Sequence, residues 1–201
     1  MYTLINGSPK AINSNSLYFL KLLGNSLDNF NIYNLKIDSY EEIINNIELS
    51  DTIVLAFPLY VDCPTSMTLE FLDYIYDNKI FLNKKNLYVI INCGFKEGEQ
   101  NITALNIIKR WCYKVNANYK GAILIGAGEI VGKPKYKLIC RKALKYLKEF
   151  STYVKDQKKC NEYITTMDIL DNKTYCYLAN KSWNKRGKVN KLTKKDIIVS
   201  D

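Results

Sequence analysis

Tyr2-Thr3-Leu4-Ile5-Asn6-Gly7-Ser8-Pro9-Lys10-Ala11-Ile12-Asn13-Ser14-Asn15-Ser16 opens the chain and decides how the rest of it is read. The apolar run Tyr2–Asn6 has the composition of a strand. Past Ser16, Leu17, Leu20 and Leu27 fall at helical spacing, with Phe19 and Leu23 close by. A loop that ends a buried strand and opens a helix presents unpaired main-chain N–H groups at the positive end of the helix dipole. Here the loop Asn6–Ser16 adds serine and asparagine donors and the charge of Lys10. Together these make a phosphate cup. A plain turn with an N-cap would need only one of Ser14, Asn15 and Ser16. The loop carries neither GxxxxGK[ST] nor GxGxxG, which points away from a dinucleotide held by its pyrophosphate.

The pattern that begins here continues to about residue 126. Strands are expected at Tyr2–Asn6, Asn31–Leu35, Thr52–Phe57, Asn86–Asn92 and Gly121–Gly126. Ile53–Phe57, Leu87–Ile91 and Ala122–Ile125 are nearly continuous apolar blocks, which belong to strands covered on both faces and so to a parallel sheet. Helices are expected at Ser16–Leu27, Tyr40–Asn46, Ser66–Asn78 and Asn101–Val115. The repeated alternation reads as a doubly wound α/β domain. A longer amphipathic helix is expected over residues 135–156, with Leu138, Ala143, Leu147, Phe150 and Val154 as its contacts. Asn161–Ala179 is compatible with a further helix, and Lys181–Lys195 reads as a basic tail. We therefore expect one domain over 1–157 and a basic extension, packed on it or trailing from it, over 158–201.

The chain has 201 residues, a net charge of +9 and no histidine. Without histidine there is no Ser-His-Asp or Cys-His nucleophile, no HExxH site and no His-ligated haem. The charge is uneven. Residues 1–132 carry 11 Lys and Arg against 13 Asp and Glu, whereas residues 133–201 carry 18 against 7. Such a basic end suits an anionic ligand, or is a solvated face. The six cysteines stand no closer than 16 positions apart, so no CxxC unit exists and no metal site is expected. Cys112 and Cys140 read as small buried hydrophobes. Free thiols, no leader-like N-terminus and no long apolar run fit a cytoplasmic protein without a membrane span.

In an open α/β sheet, ligands sit beyond the carboxyl ends of the strands. Two further loops there stand out. In Phe57-Pro58-Leu59-Tyr60-Val61-Asp62-Cys63-Pro64-Thr65-Ser66 the prolines stiffen the backbone, and Tyr60 offers a flat face to a planar ring. The bland alternative is that its apolar residues fold back onto the core. In Asn92-Cys93-Gly94-Phe95-Lys96-Glu97-Gly98, Gly94 permits close backbone approach and Phe95 is a second ring wall. Cys93 either touches the ligand or is a buried structural thiol. A phosphate cup, an aromatic loop and a small-residue loop suit a phosphorylated ligand with a broad flat head, such as flavin mononucleotide (FMN).

On Gly7-Ser8-Pro9-Lys10 with Ser14-Asn15-Ser16, Pro58-Leu59-Tyr60 with Pro64, and Asn92-Cys93-Gly94-Phe95, the sequence resembles the flavodoxin-like NAD(P)H-dependent FMN reductases and quinone reductases over about residues 1–130. The resemblance implies a flavodoxin-like three-layer α/β sandwich with a five-stranded parallel sheet, noncovalent FMN, NAD(P)H as co-substrate and a homodimer. It implies that Ser8, Lys10, Ser14, Asn15 and Ser16 hold the phosphate. Pro58, Leu59 and Tyr60 would line the isoalloxazine, with Asn92, Gly94 and Phe95 on its other side. Lys10 stands where arginine is frequent and would act as a point charge. Some relatives carry an iron–sulfur cluster on closely spaced cysteines; only Cys63 lies in the expected stretch, so none is expected.

Hydride transfer through a flavin needs no side-chain acid or base, and no catalytic residue is expected. The acceptor would be a small quinone, flavin or nitro compound. A flavodoxin-type electron carrier that does not oxidise NAD(P)H directly is the alternative, although such proteins are usually acidic. A phosphate-sensing receiver domain would need acidic residues where Asn6-Gly7 and Phe57-Pro58 stand. No nucleic-acid motif accompanies the basic end, and no nucleic-acid partner is expected.

Overall fold

The computed structural model describes residues 1–131, 140–193 and 196. Six strands form one sheet: β1 (Tyr2–Asn6), β2 (Phe30–Asn34), β3 (Thr52–Pro58), β4 (Asn86–Asn92), β5 (Asn118–Ile125) and β6 (Tyr163–Thr165). The order is β2-β1-β3-β4-β5-β6 and every pairing is parallel. The helices are α1 (Asn15–Gly24), α2 (Tyr40–Leu49), α3 (Ser66–Asp77), α4 (Ile102–Lys114), α5 (Gly128–Val131), α6 (Arg141–Lys155) and α7 (Asn172–Val189).

The apolar blocks dictate the layering. Alternate strand residues face opposite sides. Ile5, Ile53, Leu55, Phe57, Leu87, Val89, Ile91 and Leu124 pack with Ile43 and Ile47 of α2, Phe71, Leu72 and Ile75 of α3 and Leu105, Ile108 and Trp111 of α4. Helices α1 and α6 contact each other and the sheet. Tyr88 meets Phe150 of α6 edge-on at 5.9 Å between ring centroids, and its hydroxyl donates to Tyr153 O (3.1 Å) and Lys158 O (2.7 Å). Two helical layers therefore enclose a sheet whose central strands are buried on both sides. No described helix is long and apolar enough to cross a membrane.

Three expectations need correction. The sheet has six strands rather than five, because Tyr163–Thr165 pairs with Ile123–Ile125. Asn161–Ala179 is thus a strand followed by the start of α7 rather than one helix, and α7 continues through the basic stretch to Val189. The chain forms two compact units, Met1–Met167 and Asp168–Asp201. Residue Leu138 and the start of the expected 135–156 helix lie outside the described residues; Ala143, Leu147, Phe150 and Val154 of α6 are buried as expected. Strand β5 begins three residues early, because Asn118 and Tyr119 pair with Asn86 and Leu87 before an irregularity in register.

The chain runs from β1 outward to β2, then crosses back to place β3 on the other side of β1. The switch in strand order therefore lies between β1 and β3, and the loops after these two strands flank the crevice in which this architecture places ligands.

Candidate functional site

Loop one is organised by Asn6, the fully buried last residue of β1. Its Oδ1 accepts from Ser8 N (3.1 Å), and its Nδ2 donates to Ala11 O (3.1 Å), Ser14 Oγ (3.2 Å) and Asn34 Oδ1 (2.8 Å). A short 3₁₀ turn, Ala11–Asn13, follows before α1. Ser14 caps α1: its Oγ accepts from Leu17 N at 3.1 Å and donates to Ala11 O at 2.8 Å. In this structure that hydroxyl serves the helix end, its proton going to Ala11 O. Ser16 is buried and its Oγ accepts from Asn92 Nδ2 (2.9 Å); Ser8 is buried and its Oγ accepts from Lys10 N at a long 3.4 Å. Each of these two hydroxyls retains a proton to donate. Lys10 is exposed and Asn15 half-buried at the first turn of α1, where main-chain N–H groups lack intrahelical acceptors.

The second loop is pinned to the first and third. Thr65 caps α3 and its hydroxyl donates to Gly7 O at 2.6 Å, while Leu59 N donates to Asn92 O at 2.8 Å. Leu59 is buried, and its side chain packs in the core cluster. Pro58 is half-buried beside Asn92 in the sheet register. Tyr60 is exposed. It opens a two-residue turn in which Cys63 N donates to Tyr60 O (3.1 Å) and Tyr60 N to Cys63 O (3.0 Å).

Both central residues of that turn, Val61 (φ 50°) and Asp62 (φ 58°), are left-handed. Asparagine and glycine suit such positions, whereas a β-branched residue is strained there. Val61 is 97% exposed, so its side chain recovers nothing by packing within the chain. Val61→Asn is expected to stabilise the protein by about 1 kcal/mol, read as a higher urea midpoint at unchanged slope. An unchanged or lower midpoint would mean the turn carries no strain.

Asn92 is a strut rather than a free wall of the site. Buried at the end of β4, it donates to Ser16 Oγ and to Phe57 O (3.2 Å). Gly94 and Phe95 beyond it are exposed, and a Cβ placed on Gly94 would meet no atom within 4 Å. The loop after β5, which the sequence reading passed over, closes behind: Ala127 N donates to Phe95 O (2.6 Å), and Gly128 N to Cys93 O (2.9 Å). A Cβ on Gly128 would stand 2.9 Å from Asn92 Cβ, a closeness that only glycine accommodates. Small residues in Gly126-Ala127-Gly128 were the signal that could have found it.

Cys93 is a structural thiol. It is buried against the carbonyls of Phe95, Glu97 and Ile125, and burial pushes its pKa up to about 11. Burial likewise raises Cys160 to about 11 and Cys112 to about 12. A thiol whose pKa is higher folded than unfolded stabilises the fold in full below the unfolded value of 9.0 and loses that contribution as pH climbs toward 11. The urea midpoint is accordingly expected to fall as the pH is raised above 9.0, with exposed Cys176 and half-buried Cys63 the first thiols to react with Ellman's reagent. A midpoint that rises above pH 9.0 would contradict the assignment.

The structure thus brings Ser8, Lys10, Asn15, Ser16, Tyr60, Gly94 and Phe95 to the carboxyl end of the sheet, linked through Asn92. The cleft of about 490 Å³ between Tyr76, Ile80, Phe81 and Lys114 lies at the opposite end and includes none of them.

No protein-family model and no curated protein matches the sequence. Solved structures do match. An NADPH-quinone reductase from P. pentosaceus superposes with a TM-score of 0.59 at 17% identity, over 77% of this chain and 97% of that one. The fold is flavodoxin-like. The general stress protein 14 of Treponema denticola, solved in complex with FMN, shares this flavodoxin-like architecture with a TM-score of 0.55 at 15% identity, over 74% of this chain and 99% of that one. An NADH:FMN oxidoreductase in its apo form does so with a TM-score of 0.57 at 12% identity, over 76% and 89%.

The residues at the flavodoxin-like switch point are compatible with FMN. The helix-opening loop offers first-turn amides, hydroxyls and the charge of Lys10, the donor types a phosphate takes, and there is open space at Gly94, with Tyr60 and Phe95 exposed.

Proposed function

We propose that the chain is an FMN-dependent oxidoreductase that takes hydride from NAD(P)H and passes the electrons to a small acceptor, a quinone, a flavin or a nitro compound. The observation that carries this reading is the linkage of three loops at the switch point. Asn92 joins the helix-opening loop to the end of β3 and holds it beside a glycine with open space above it. That an FMN-bound protein and an NADPH-quinone reductase share the fold supports it.

FMN, when bound, supplies the redox chemistry; the protein's part is position and electrostatics. Lys10, Asn15 and the α1 amides attract and hold the phosphate. Ser8 and Ser16 donate their remaining hydroxyl protons to it. Tyr60 and Phe95 border the ring and limit water beside it, and Gly94 lets the backbone approach it. Nothing in this constellation has to gain or lose a proton, in keeping with a chain that lacks histidine. Tyr60, Val61 and Phe95 leave apolar surface at the site's rim, which a second copy of the chain would cover.

The test is direct. Protein incubated with FMN and desalted should be yellow, and NADPH or NADH added under argon should bleach its absorbance near 450 nm within seconds, about as fast as typical turnover. A colourless protein removes the proposal. A coloured protein that neither pyridine nucleotide bleaches leaves the electron-carrier alternative. Light scattering on a sizing column decides the dimer.

A further inference from the structure

The turn after β2 lies against the helix-opening loop. Leu35 N donates to Asn6 O (3.0 Å), Asn34 Oδ1 accepts from Asn6 Nδ2, and Asp38 Oδ2 accepts from Asn34 N (2.6 Å). From the apex of this turn Lys36 extends across the loop, and its Nζ donates to Pro9 O at 3.0 Å. Pro9 has no N–H, so that carbonyl is its only hydrogen-bonding group. A loop that binds an anion through N–H groups must keep its carbonyl oxygens off the anion, because their partial charge repels it. Lys36 holds the one carbonyl between Ser8 and Lys10 by an ion–dipole bond and adds a second cation beside the loop. The Asp38 carboxylate in the same turn is committed to Asn34 N and does not bond Lys36 in the structure.

We propose that Lys36 is a positioning residue for the phosphate end of the ligand: by clamping Pro9 O it fixes the Ser8–Lys10 segment in its anion-accepting form. The inference rests on the FMN reading. The contact itself is exposed, so it adds little to global stability.

Wild type, Lys36→Met and Lys36→Arg are titrated with FMN and with riboflavin, which lacks the phosphate, following flavin fluorescence. Lys36→Met is expected to lose about tenfold in FMN affinity and to change riboflavin affinity by less than about twofold. Lys36→Arg, which keeps the charge and a donor, should regain most of the loss. In the ligand-free proteins, amide exchange at Ala11 and Asn13, whose N–H groups bond Ser8 O and Lys10 O, should quicken in the methionine variant and not in the arginine one. Unchanged FMN affinity in Lys36→Met, or equal losses for both flavins, overturns the proposal. If wild type binds neither flavin, the FMN reading fails, and the exchange measurement alone then decides whether Lys36 holds the loop; unchanged exchange refutes it.

Discussion

Gly7→Ala is expected to lower the melting temperature by about 2–12 °C, following an overpacking penalty of about 1–3 kcal/mol, and to cost the protein its uptake of FMN. A methyl group at this position would overlap Thr68 Oγ1 and stand 3.2 Å from Phe57 Cβ. Thr68 has little room to yield. It is fully buried, and its hydroxyl lies 2.9 Å from that of Thr65, which donates to Gly7 O. Relief of the clash would push the loop off the α3 N-cap, displacing Ser8 and the amides behind it. The same substitution in a Thr68→Ala background isolates the cause. With the hydroxyl gone, the penalty for Gly7→Ala should fall by more than about half, as expected of two groups in contact. An equal penalty in both backgrounds would show that close approach to Thr68 is not what reserves position 7 for glycine.

Gly94→Val should do the opposite: leave the fold alone and remove the ligand. No atom lies within 4 Å of a Cβ at this position, so the cost to stability should stay within about 0.5 kcal/mol, as for surface changes in general. An isopropyl group there occupies the space assigned to the flavin ring, and FMN affinity should fall at least about tenfold, as for overpacking of a preformed site. Gly94→Ala should give a smaller loss in the same direction. Unaltered FMN binding by the valine variant, with an unaltered melting temperature, would place the ring elsewhere.

How far the sequence carried these conclusions differed from element to element. Strands β3, β4 and the apolar part of β5 were legible because a strand buried on both faces has no polar side to interrupt its run. Tyr163–Thr165 was not, because it is three residues long and follows Asn161 and Glu162; what holds it is distant. Glu162 pairs with Lys109 and accepts from Tyr119 OH (3.1 Å), and Thr165 O accepts from Gly126 N (3.0 Å). The end of α7 was misread because Gly187 and a run of lysines look like a tail, although Asn190 N and Leu192 N close the helix on Gly187 O.

At the candidate site the loops were visible and their wiring was not. Ser14, Asn15 and Ser16 are equivalent donors on paper. Only the fold shows that Ser14 is the cap and that Ser16 answers Asn92, 76 residues away. Asn6 read as the end of a strand, since nothing local announces a partner at Asn34. Leu59 and Tyr60 are adjacent in a stiff loop, and the backbone turns one inward and the other out.

Strand β6 has a further consequence, for the order in which the chain is made. It is short, yet along Ile123–Ile125 it is what pairs with the otherwise open side of β5. It comes from the last fifth of the sequence, so during synthesis the edge of β5, with its run Ala122-Ile123-Leu124-Ile125, waits uncovered until Tyr163–Thr165 emerges. An uncovered apolar edge is a template for pairing with another chain. Polypeptides that stop short of Tyr163 should therefore aggregate more readily than chains in which Tyr163–Thr165 covers Ile123–Ile125.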